Sequence, residues 1–234
     1  MKKVIISVGG SVLVPTLESN NLSAWVAVLR EIQQDYSVFC VCGGGGEARR
    51  YITVCRSLGI DEGTADEIGI MVTRINAFLL IAALGDAAYP TVPASYREAK
   101  QAALHGRIVV MGGITPGQTT DAVSAVLAEE VGADLLVNAT AVDGIYSADP
   151  RKDATAERYS MITPDDLIRI IMKERMGAGS NMIVDLVAAK IVERSGIPFI
   201  VIDGRKPGDI ITALKEGTFN GTLVAEKPDS VLPL

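Results

Sequence analysis

Three apolar segments of the sequence each run directly into two or more glycines, at residues 4–10, 38–46 and 109–113. Short apolar runs bounded by glycine are typical of strands that are buried on both faces. If these strands are parallel neighbours, their carboxyl ends meet at one edge of the sheet, which is where ligands bind in open α/β sheets. The repetition therefore favours one shared phosphate-binding cleft over three unrelated loops.

The second of these glycine runs, residues 43–46, is followed at once by a helix-like segment at residues 47–58. Glycine allows backbone N–H groups to approach a ligand closely, and the start of a helix adds partial positive charge. Arg49, one turn into that helix, adds a two-pronged charged contact for a phosphate. The pattern predicts an anion site, with a tight turn that binds no ligand as the alternative.

Strand-like and helix-like segments alternate along the chain, and the strands are apolar on both faces. This alternation predicts an α/β fold, a three-layer sandwich with a mainly parallel open sheet between helices. One long helix is expected from an N-cap at Thr64, with Glu67 completing a capping box, to about Leu84. Its second half, residues 76–84, is apolar almost all round, which indicates burial within the chain or contact with another subunit.

Composition excludes several classes of partner. The net charge is −6 and no basic run is present, so no nucleic-acid interface is expected. The odd set Cys40, Cys42 and Cys55 lacks metal-ligand spacing, which favours small buried hydrophobes in a reducing, cytoplasmic setting. No signal peptide is expected, because Met1-Lys2-Lys3 leads straight into a strand, and no apolar run approaches membrane-spanning length, so no membrane partner is expected.

Two common phosphate-binding fingerprints are missing from the sequence, the Gly-Lys-Ser/Thr end of a Walker A loop and Gly-x-Gly-x-x-Gly. In order and spacing, however, five groups of residues resemble the amino acid kinase superfamily over essentially the whole chain, and within it the archaeal type of UMP kinase. These groups are Gly9 to Pro15; Gly43 to Gly45 with Ala48 and Arg49; Asp66 with Ile68 to Ile70, Thr73 and Arg74; Met111 to Gly113 with Pro116, Gly117 and Thr119 to Asp121; and Val142 to Tyr146 with Ala148 to Pro150.

The resemblance implies a single amino acid kinase domain over residues 1–234. An acceptor-side, oligomerising lobe would occupy about residues 1–132, and an ATP-side lobe about residues 133–234. The implied reaction is direct in-line transfer of a phosphoryl group from ATP, carried with Mg²⁺, to UMP, a step of pyrimidine nucleotide biosynthesis. The implied assembly is a homohexamer, a trimer of dimers, with the helix at residues 66–84 in a subunit contact. No metal-ligating set of side chains is expected.

The same resemblance implies roles for individual residues. Arg49 and Asp121 would be catalytic, with Asp121 organising the phosphate-binding groups. The residues implied for ATP are Ser7, Val8, Gly9, Gly10, Ser11, Gly45 and Arg49 at the phosphates, and Thr140, Tyr146 and Asp149 at the adenosine. Those implied for UMP are Gly44, Asp66 at the ribose, and Ile114, Thr115, Pro116, Gly117, Gln118, Thr119 and Thr120 around the uracil.

Each of these roles has a simpler structural alternative. Asp66 is also explained as an acidic residue in the first turn of a helix. Asp121 is compatible with an N-cap for the helix expected at residues 122–130. Tyr146 is compatible with simple packing, and Asp149 with the turn that Pro150 favours.

Two positions depart from the family pattern. Many members have a lysine two residues before the first glycine pair, where this chain has Ser7, and a second lysine near the position of Asp185. The cation that faces the transferred phosphoryl group is therefore open, with Arg49, Lys152 and Mg²⁺ as candidates.

Phosphoryl transfer to a phosphate oxygen requires placement and charge neutralisation more than a strong general base, which agrees with these residues. The alternatives are a related kinase for a carboxylate, a carbamate or an isoprenoid phosphate, and a non-catalytic nucleotide sensor. Isoprenoid phosphate kinases of the superfamily have a histidine near the second glycine turn. The only histidine here is His105, which we expect at a helix end.

Overall fold

The computed structural model describes residues 1–150, 153, 155–175, 184–226 and 231–234. Its strands are β1 Lys3–Val8, β2 Ser37–Cys42, β3 Val109–Met111, β4 Leu135–Thr140, β5 Met161–Ile162, β6 Phe199–Asp203 and β7 Gly221–Val224. Its α-helices are α1 Gly10–Leu13, α2 Leu22–Ile32, α3 Gly45–Ser57, α4 Glu62–Leu84, α5 Tyr96–Ala103, α6 Thr120–Val131, α7 Pro164–Arg175, α8 Leu186–Ser195 and α9 Asp209–Glu216.

The strands form one sheet in the order β3-β2-β1-β4-β6-β7-β5. The five strands β3, β2, β1, β4 and β6 are parallel to one another, and β7 runs antiparallel to β6. The order reverses at β1, because the chain first adds β2 and β3 on one side of β1 and then β4 on the other. A crevice forms outside the carboxyl ends of the strands at such a reversal.

Alternate side chains of the sheet enter two separate cores, as the pleat of a strand requires. On β1, Val4, Ile6 and Val8 pack in the core that also contains buried residues of α2, α4 and α9. Ile5 points the other way, into the core shared with α5, α6, α7 and α8. The predicted three-layer sandwich with a mainly parallel sheet is confirmed.

Two helix starts differ from the sequence prediction. Helix α4 begins three residues earlier than an N-cap at Thr64 would place it, and its N-cap is Asp61, whose carboxylate accepts a hydrogen bond from the Thr64 backbone N–H at 2.9 Å. Helix α6 is capped by Thr119 through the Ala122 N–H, so Asp121 is not its N-cap. In both cases an oxygen-bearing side chain a few residues upstream is better placed to accept from the first turn.

The cysteines lie where the alternation of strand side chains places them. Cys40 and Cys42 share one face of β2, and all three thiols, including Cys55, are buried and free. A hydrogen bond with Cys40, together with burial, holds the pKa of the Cys42 thiol well above its usual value. The thiols therefore pack as small hydrophobes, as predicted.

Helix α4 has two unlike faces. Ala77, Leu80 and Leu84 are buried against the sheet, whereas Ile75 and Phe78 are 64% and 59% exposed. By length and composition alone, the helix at residues 62–87 suffices to cross a membrane: its most apolar 18-residue stretch has a mean hydropathy of 1.9, and 44% of that stretch is buried in the fold. The sequence expectation considered only uninterrupted apolar runs, and polar residues interrupt the apolar residues of this helix. A soluble core helix that is mostly buried passes the same test.

Candidate active site

The first glycine turn (Gly9-Gly10) and the second (residues 43–46) pack directly on each other. A Cβ atom on Gly10 would lie 1.9 Å from the backbone nitrogen of Gly45, and one on Gly43 would lie 2.4 Å from the nitrogen of Gly10. Gly45 also has a φ of 69°, which side chains rarely tolerate. The two backbones approach this closely only because neither turn has side chains.

The third glycine turn (Gly112-Gly113) is held by helix α4. The Thr73 hydroxyl accepts a hydrogen bond from the Gly113 N–H at 2.7 Å and donates to the carbonyl of Ile70 at 2.6 Å. One turn further along, the buried Asn76 side chain donates to the carbonyl of Gly43 at 2.9 Å. Helix α4 thus fixes the second and third turns relative to each other.

Sequence reasoning did not assign this clamp. The sequence pattern places Asn76 only at the start of an apolar helical segment and Thr73 only within a family motif. The signal was present, because a polar side chain on the buried face of a core helix requires a hydrogen-bond partner.

A cavity of about 320 Å³ opens between these turns, helix α3 and helix α4. Its lining includes much of the predicted UMP set and part of the predicted ATP set: Gly10, Ser11, Gly44, Gly45, Arg49, Asp66, Thr115, Gln118, Thr119 and Thr120. The prediction that the three turns converge on one crevice is confirmed.

The loop from residue 114 to residue 119, here called the β3–α6 loop, covers one side of this cavity. Asp66 accepts a hydrogen bond from the Gly117 N–H at 2.8 Å, which ties the loop to helix α4. Ile114 is half-buried and packs against the core, while Pro116 and Gly117 are exposed and do not line the cavity. Six of the predicted UMP residues are thus in this loop and a seventh, Thr120, begins α6, although only some of them face the cavity.

Arg49 is the basic residue of the cavity lining. It is exposed, and no carboxylate in the described part of the chain pairs with its guanidinium group. Its neighbour Arg50 instead pairs with Glu47 at 3.0 Å. A guanidinium free of internal partners at the start of a helix can bind phosphate oxygens in pairs.

Asp121 lies in the first turn of α6 and connects two strands of the sheet. Its carboxylate accepts hydrogen bonds from the hydroxyl of Ser7 on β1 at 2.8 Å and from the amide of Asn138 on β4 at 3.3 Å. Burial, and to a lesser degree the nearby charge of Asp185, raise the pKa of Asp121 to about 6, against the opposing effect of the two hydrogen bonds. No described lysine or arginine contributes to this pKa, which agrees with the missing family lysines.

The predicted ATP residues beyond the first turn line a different part of the edge. Val8 ends β1, and the N–H of the next residue, Gly9, donates to the carbonyl of Ala139 on β4 at 2.9 Å. Thr140 ends β4 and accepts from the N–H of Gly204, which follows β6. This second part of the crevice is adjacent to the first, across the reversal at β1.

Tyr146 and Asp149 lie in the loop after β4. The Tyr146 hydroxyl donates to Asp143 at 2.8 Å, and Asp143 also pairs with Arg158. Asp149 is half-buried and accepts from the backbone N–H of Asp153 through its own carbonyl. Lys152 and the glycine-rich segment at residues 177–181 lie outside the described residues.

Comparisons with known proteins agree with this geometry. The model of the amino acid kinase family matches residues 2–203. The chain is 63% identical to the uridylate kinase of Methanocorpusculum labreanum over 96% of each chain, and 61% identical to that of Methanoculleus marisnigri over the full length of both. The crystal structure of uridylate kinase from Archaeoglobus fulgidus superposes with a TM-score of 0.86 at 44% identity, over 95% of this chain and 100% of the other. The chain belongs to the amino acid kinase family.

Proposed function

We propose that the protein is an ATP-dependent kinase that phosphorylates UMP to UDP, a step of pyrimidine nucleotide biosynthesis. The observation that carries the proposal is the convergence of three side-chain-free turns on one cavity, beside the carboxyl ends of β1 and β4. Two nucleotides placed end to end across this edge would meet at their phosphates. The similarity to uridylate kinases of three archaea supports UMP as the acceptor.

In this proposal the part of the chain up to about residue 132 binds UMP, and the part from about residue 133 onward binds the adenosine of ATP. Gly44, Asp66 and the residues of the β3–α6 loop hold the acceptor, and the hydroxyls of Thr119 and Thr120 serve as donors or acceptors for the base. The ATP phosphates lie along Ser7 to Ser11 with Gly45. Thr140, Tyr146 and Asp149 contact the adenosine.

Charge neutralisation falls to Arg49, which has no competing carboxylate among the described residues and lines the cavity. The positions of the two family lysines hold Ser7 and Asp185 instead. Mg²⁺ supplies further positive charge when it is bound with ATP. Oxygen ligands suit this ion, and it is usually held by one or two carboxylates plus substrate phosphates. Asp121 is a carboxylate close to the first glycine turn, since it accepts a hydrogen bond from Ser7, and the described residues contain no group of three metal-ligating side chains.

The chain's own contribution to the reaction is placement. The turn backbones and Arg49 hold the phosphates in line, and the attacking oxygen already belongs to a phosphate, so no side chain has to remove a proton. Helix α4 keeps the second and third turns in register through Thr73 and Asn76. Preorganised dipoles of this kind stabilise the charge that develops in the transition state.

The proposed assembly is a homohexamer, a trimer of dimers, in the cytoplasm. The outer face of α4 supports it, because Met71, Ile75 and Phe78 are each at least 59% exposed and line an open groove of about 480 Å³. A second set of exposed apolar residues lies on α3, at Tyr51, Val54 and Leu58. Exposed apolar patches of this kind mark protein contacts. A monomer in multi-angle light scattering would refute the assembly.

The test of function is a coupled assay of ADP release with UMP, CMP, acetylglutamate and isopentenyl phosphate offered in turn as acceptors. We expect ADP release with UMP and little with acetylglutamate or isopentenyl phosphate. Release only with one of the latter two would replace the proposed acceptor. Release with none of the four would favour a nucleotide sensor, the second candidate, which the absence of both family lysines supports.

The role of Arg49 has its own test. We expect Arg49→Ala to lower kcat by on the order of 100-fold, because a donor aimed at transition-state charge contributes about that much, and Arg49→Lys to recover part of the loss. Arg50→Ala is the matched control, since it removes a guanidinium from the next residue that is already paired with Glu47. Equal kcat values for the two alanine variants would exclude Arg49 as the phosphate-facing cation.

A further inference from the structure

Asp185 lies immediately before α8, near the place where the family has a lysine, and both of its carboxylate oxygens accept hydrogen bonds. One oxygen caps α8 through the backbone N–H of Val187 at 2.7 Å. The other accepts from the hydroxyl of Thr119, at the end of the β3–α6 loop. Asp185 therefore joins a helix of the second half of the chain to a loop of the first half.

Thr119 is held by two contacts at once. Its oxygen accepts from the Ala122 N–H at 3.2 Å, which caps α6, and its proton goes to Asp185. A hydroxyl rotates to suit its partners, so a charged acceptor fixes the direction of its proton, and such charge-assisted bonds are stronger than neutral ones. Thr119 also lines the cavity, so its orientation sets part of the cavity wall.

The β3–α6 loop is thus anchored by two carboxylates from different halves of the chain. Asp66 on α4 holds Gly117, and Asp185 before α8 holds Thr119. Residues 115–119 of the loop are exposed, so these two bonds are the side-chain contacts that, among the described residues, hold the exposed part of the loop above the cavity. Ile114 packs against the core at one end of the loop and Thr119 caps α6 at the other, so loss of either carboxylate bond frees part of the exposed segment between them.

We infer that Asp185 is a positioning residue, which holds Thr119 and with it the β3–α6 loop in the shape that receives the acceptor. The inference rests on the proposed function in that the acceptor is taken to be UMP. In place of a cation, this position then supplies a tether between the ATP-side helix α8 and the wall of the acceptor cavity.

The kinetic test compares Asp185→Asn, Thr119→Val and the double variant. In Asp185→Asn, the side-chain amide has one acceptor oxygen for two donors, the Val187 N–H and the Thr119 hydroxyl. In Thr119→Val, the hydroxyl itself is removed. We expect each single variant to raise KM for UMP about tenfold, the order expected for a hydrogen bond to a charged group, with a much smaller change in KM for ATP. Because both remove the same bond, the double variant should be no worse than the more impaired single variant. Thr119→Ser should keep KM for UMP near the wild-type value.

The control for a purely structural effect is Ser95→Ala, which removes the N-cap of α5 from the Glu98 N–H, away from the cavity. It should lower Tm and leave both KM values unchanged. Additive effects of Asp185→Asn and Thr119→Val, or equal rises in KM for UMP and ATP, would overturn the inference.

A second measurement does not depend on the identity of the acceptor. Hydrogen exchange of the free protein should be faster over residues 112–122 in Asp185→Asn and Thr119→Val, and unchanged there in Ser95→Ala. Unchanged exchange in Asp185→Asn would overturn the tether even in an active enzyme. Faster exchange in a protein that does not phosphorylate UMP would refute the proposed acceptor and leave the tether standing.

Discussion

The two sides of the crevice are held together by different kinds of contact. On one side, at the ends of β1 and β2, backbone packs on backbone, and the Gly10, Gly43 and Gly45 contacts leave no room for a Cβ atom. On the other side, beyond β4 and β6, which the proposed function assigns to ATP and which is here called the ATP side, charged and polar side chains hold the loops through the pairs Asp143–Arg158 and Asp203–Arg205. The first kind of contact depends on the absence of side chains, and the second on pairs of oppositely charged side chains.

The largest expected effect comes from filling the space between the first two turns. Gly10→Ala places a methyl group 1.9 Å from the backbone nitrogen of Gly45, so the turns must separate. Overpacking costs about 1–3 kcal/mol where side chains can adjust, and more where backbone must move. We expect a loss of several kcal/mol in urea unfolding, with ADP release at least about 100-fold lower in any protein that folds.

The matched control is Gly208→Ala on the ATP side, where no atom lies within 4 Å of the added Cβ and the backbone is already helical, with φ −60°. This substitution should be neutral or stabilise the protein by up to about 1 kcal/mol, through the unfolded state. Wild-type stability for Gly10→Ala would remove the distinction between the two sides.

Asp121 lies where the two sides meet, between Ser7 on β1 and Asn138 on β4, and it should show a pH-dependent effect of intermediate size. Its pKa of about 6 in the fold lies above the usual 3.8. Between these values the folded protein keeps a proton that the unfolded chain releases, so this group makes stability fall as pH rises from about 4 to 6. The difference between the two pKa values corresponds to about 3 kcal/mol, and the partial exposure of Asp121 reduces this to about 1–3 kcal/mol.

Asp121→Asn removes this titration. Relative to the wild type, the variant should therefore gain stability as the pH of the urea titration rises from 4 to 7, by about 1–3 kcal/mol. The neutral Ser7 and Asn138 face this carboxylate from the strands, and Asp185 faces it from the segment before α8. Asp185→Asn should accordingly move the transition to lower pH. A stability difference that stays constant over this range would refute the assignment to Asp121.

The contrast between the two sides of the crevice also explains which features of the fold and the site could be predicted from the sequence. The three turns were predictable because a glycine at a close approach is visible as a residue type, and its position after a buried strand defines the edge. The alternation of apolar strands and helices likewise predicted the three layers. Both signals are local in sequence, so no knowledge of distant partners was needed.

The remaining features depend on partners far apart in the sequence. The apolar pattern places Asn76 in a buried helix but does not identify Gly43 as its hydrogen-bond partner. The family pattern shows that Asp185 replaces a lysine but does not identify its contact with Thr119, 66 residues away. The cap of α4 was assigned to Thr64 although Asp61 forms it, because both residues fit the local pattern. Competing caps differ by about 1 kcal/mol or less, which sequence alone does not resolve.

The smallest expected effect is on the ATP side, at the pair of Arg205 with Asp203. Burial alone would raise the pKa of Asp203, but hydrogen bonds from the Arg205 side chain and backbone hold it below its usual value. The Asp203 side chain is 9% exposed and that of Arg205 is 62% exposed, so only one partner is desolvated. Arg205→Ala should therefore cost about 1–2 kcal/mol, less than the loss of a fully buried pair.

The pH dependence of this loss follows from the same pair. Since the pKa of Asp203 is lowered in the fold, the stability that Arg205 contributes is present above pH 4 and disappears as Asp203 is protonated at lower pH. The control is Arg169→Ala, whose pairs with Asp165 and Asp166 are exposed at both ends and should contribute less than about 1 kcal/mol. Because Gly204 beside this pair donates to Thr140, we expect Arg205→Ala to raise KM for ATP a few-fold and leave KM for UMP unchanged. An equal rise in both would show that the two sides of the crevice are not held independently.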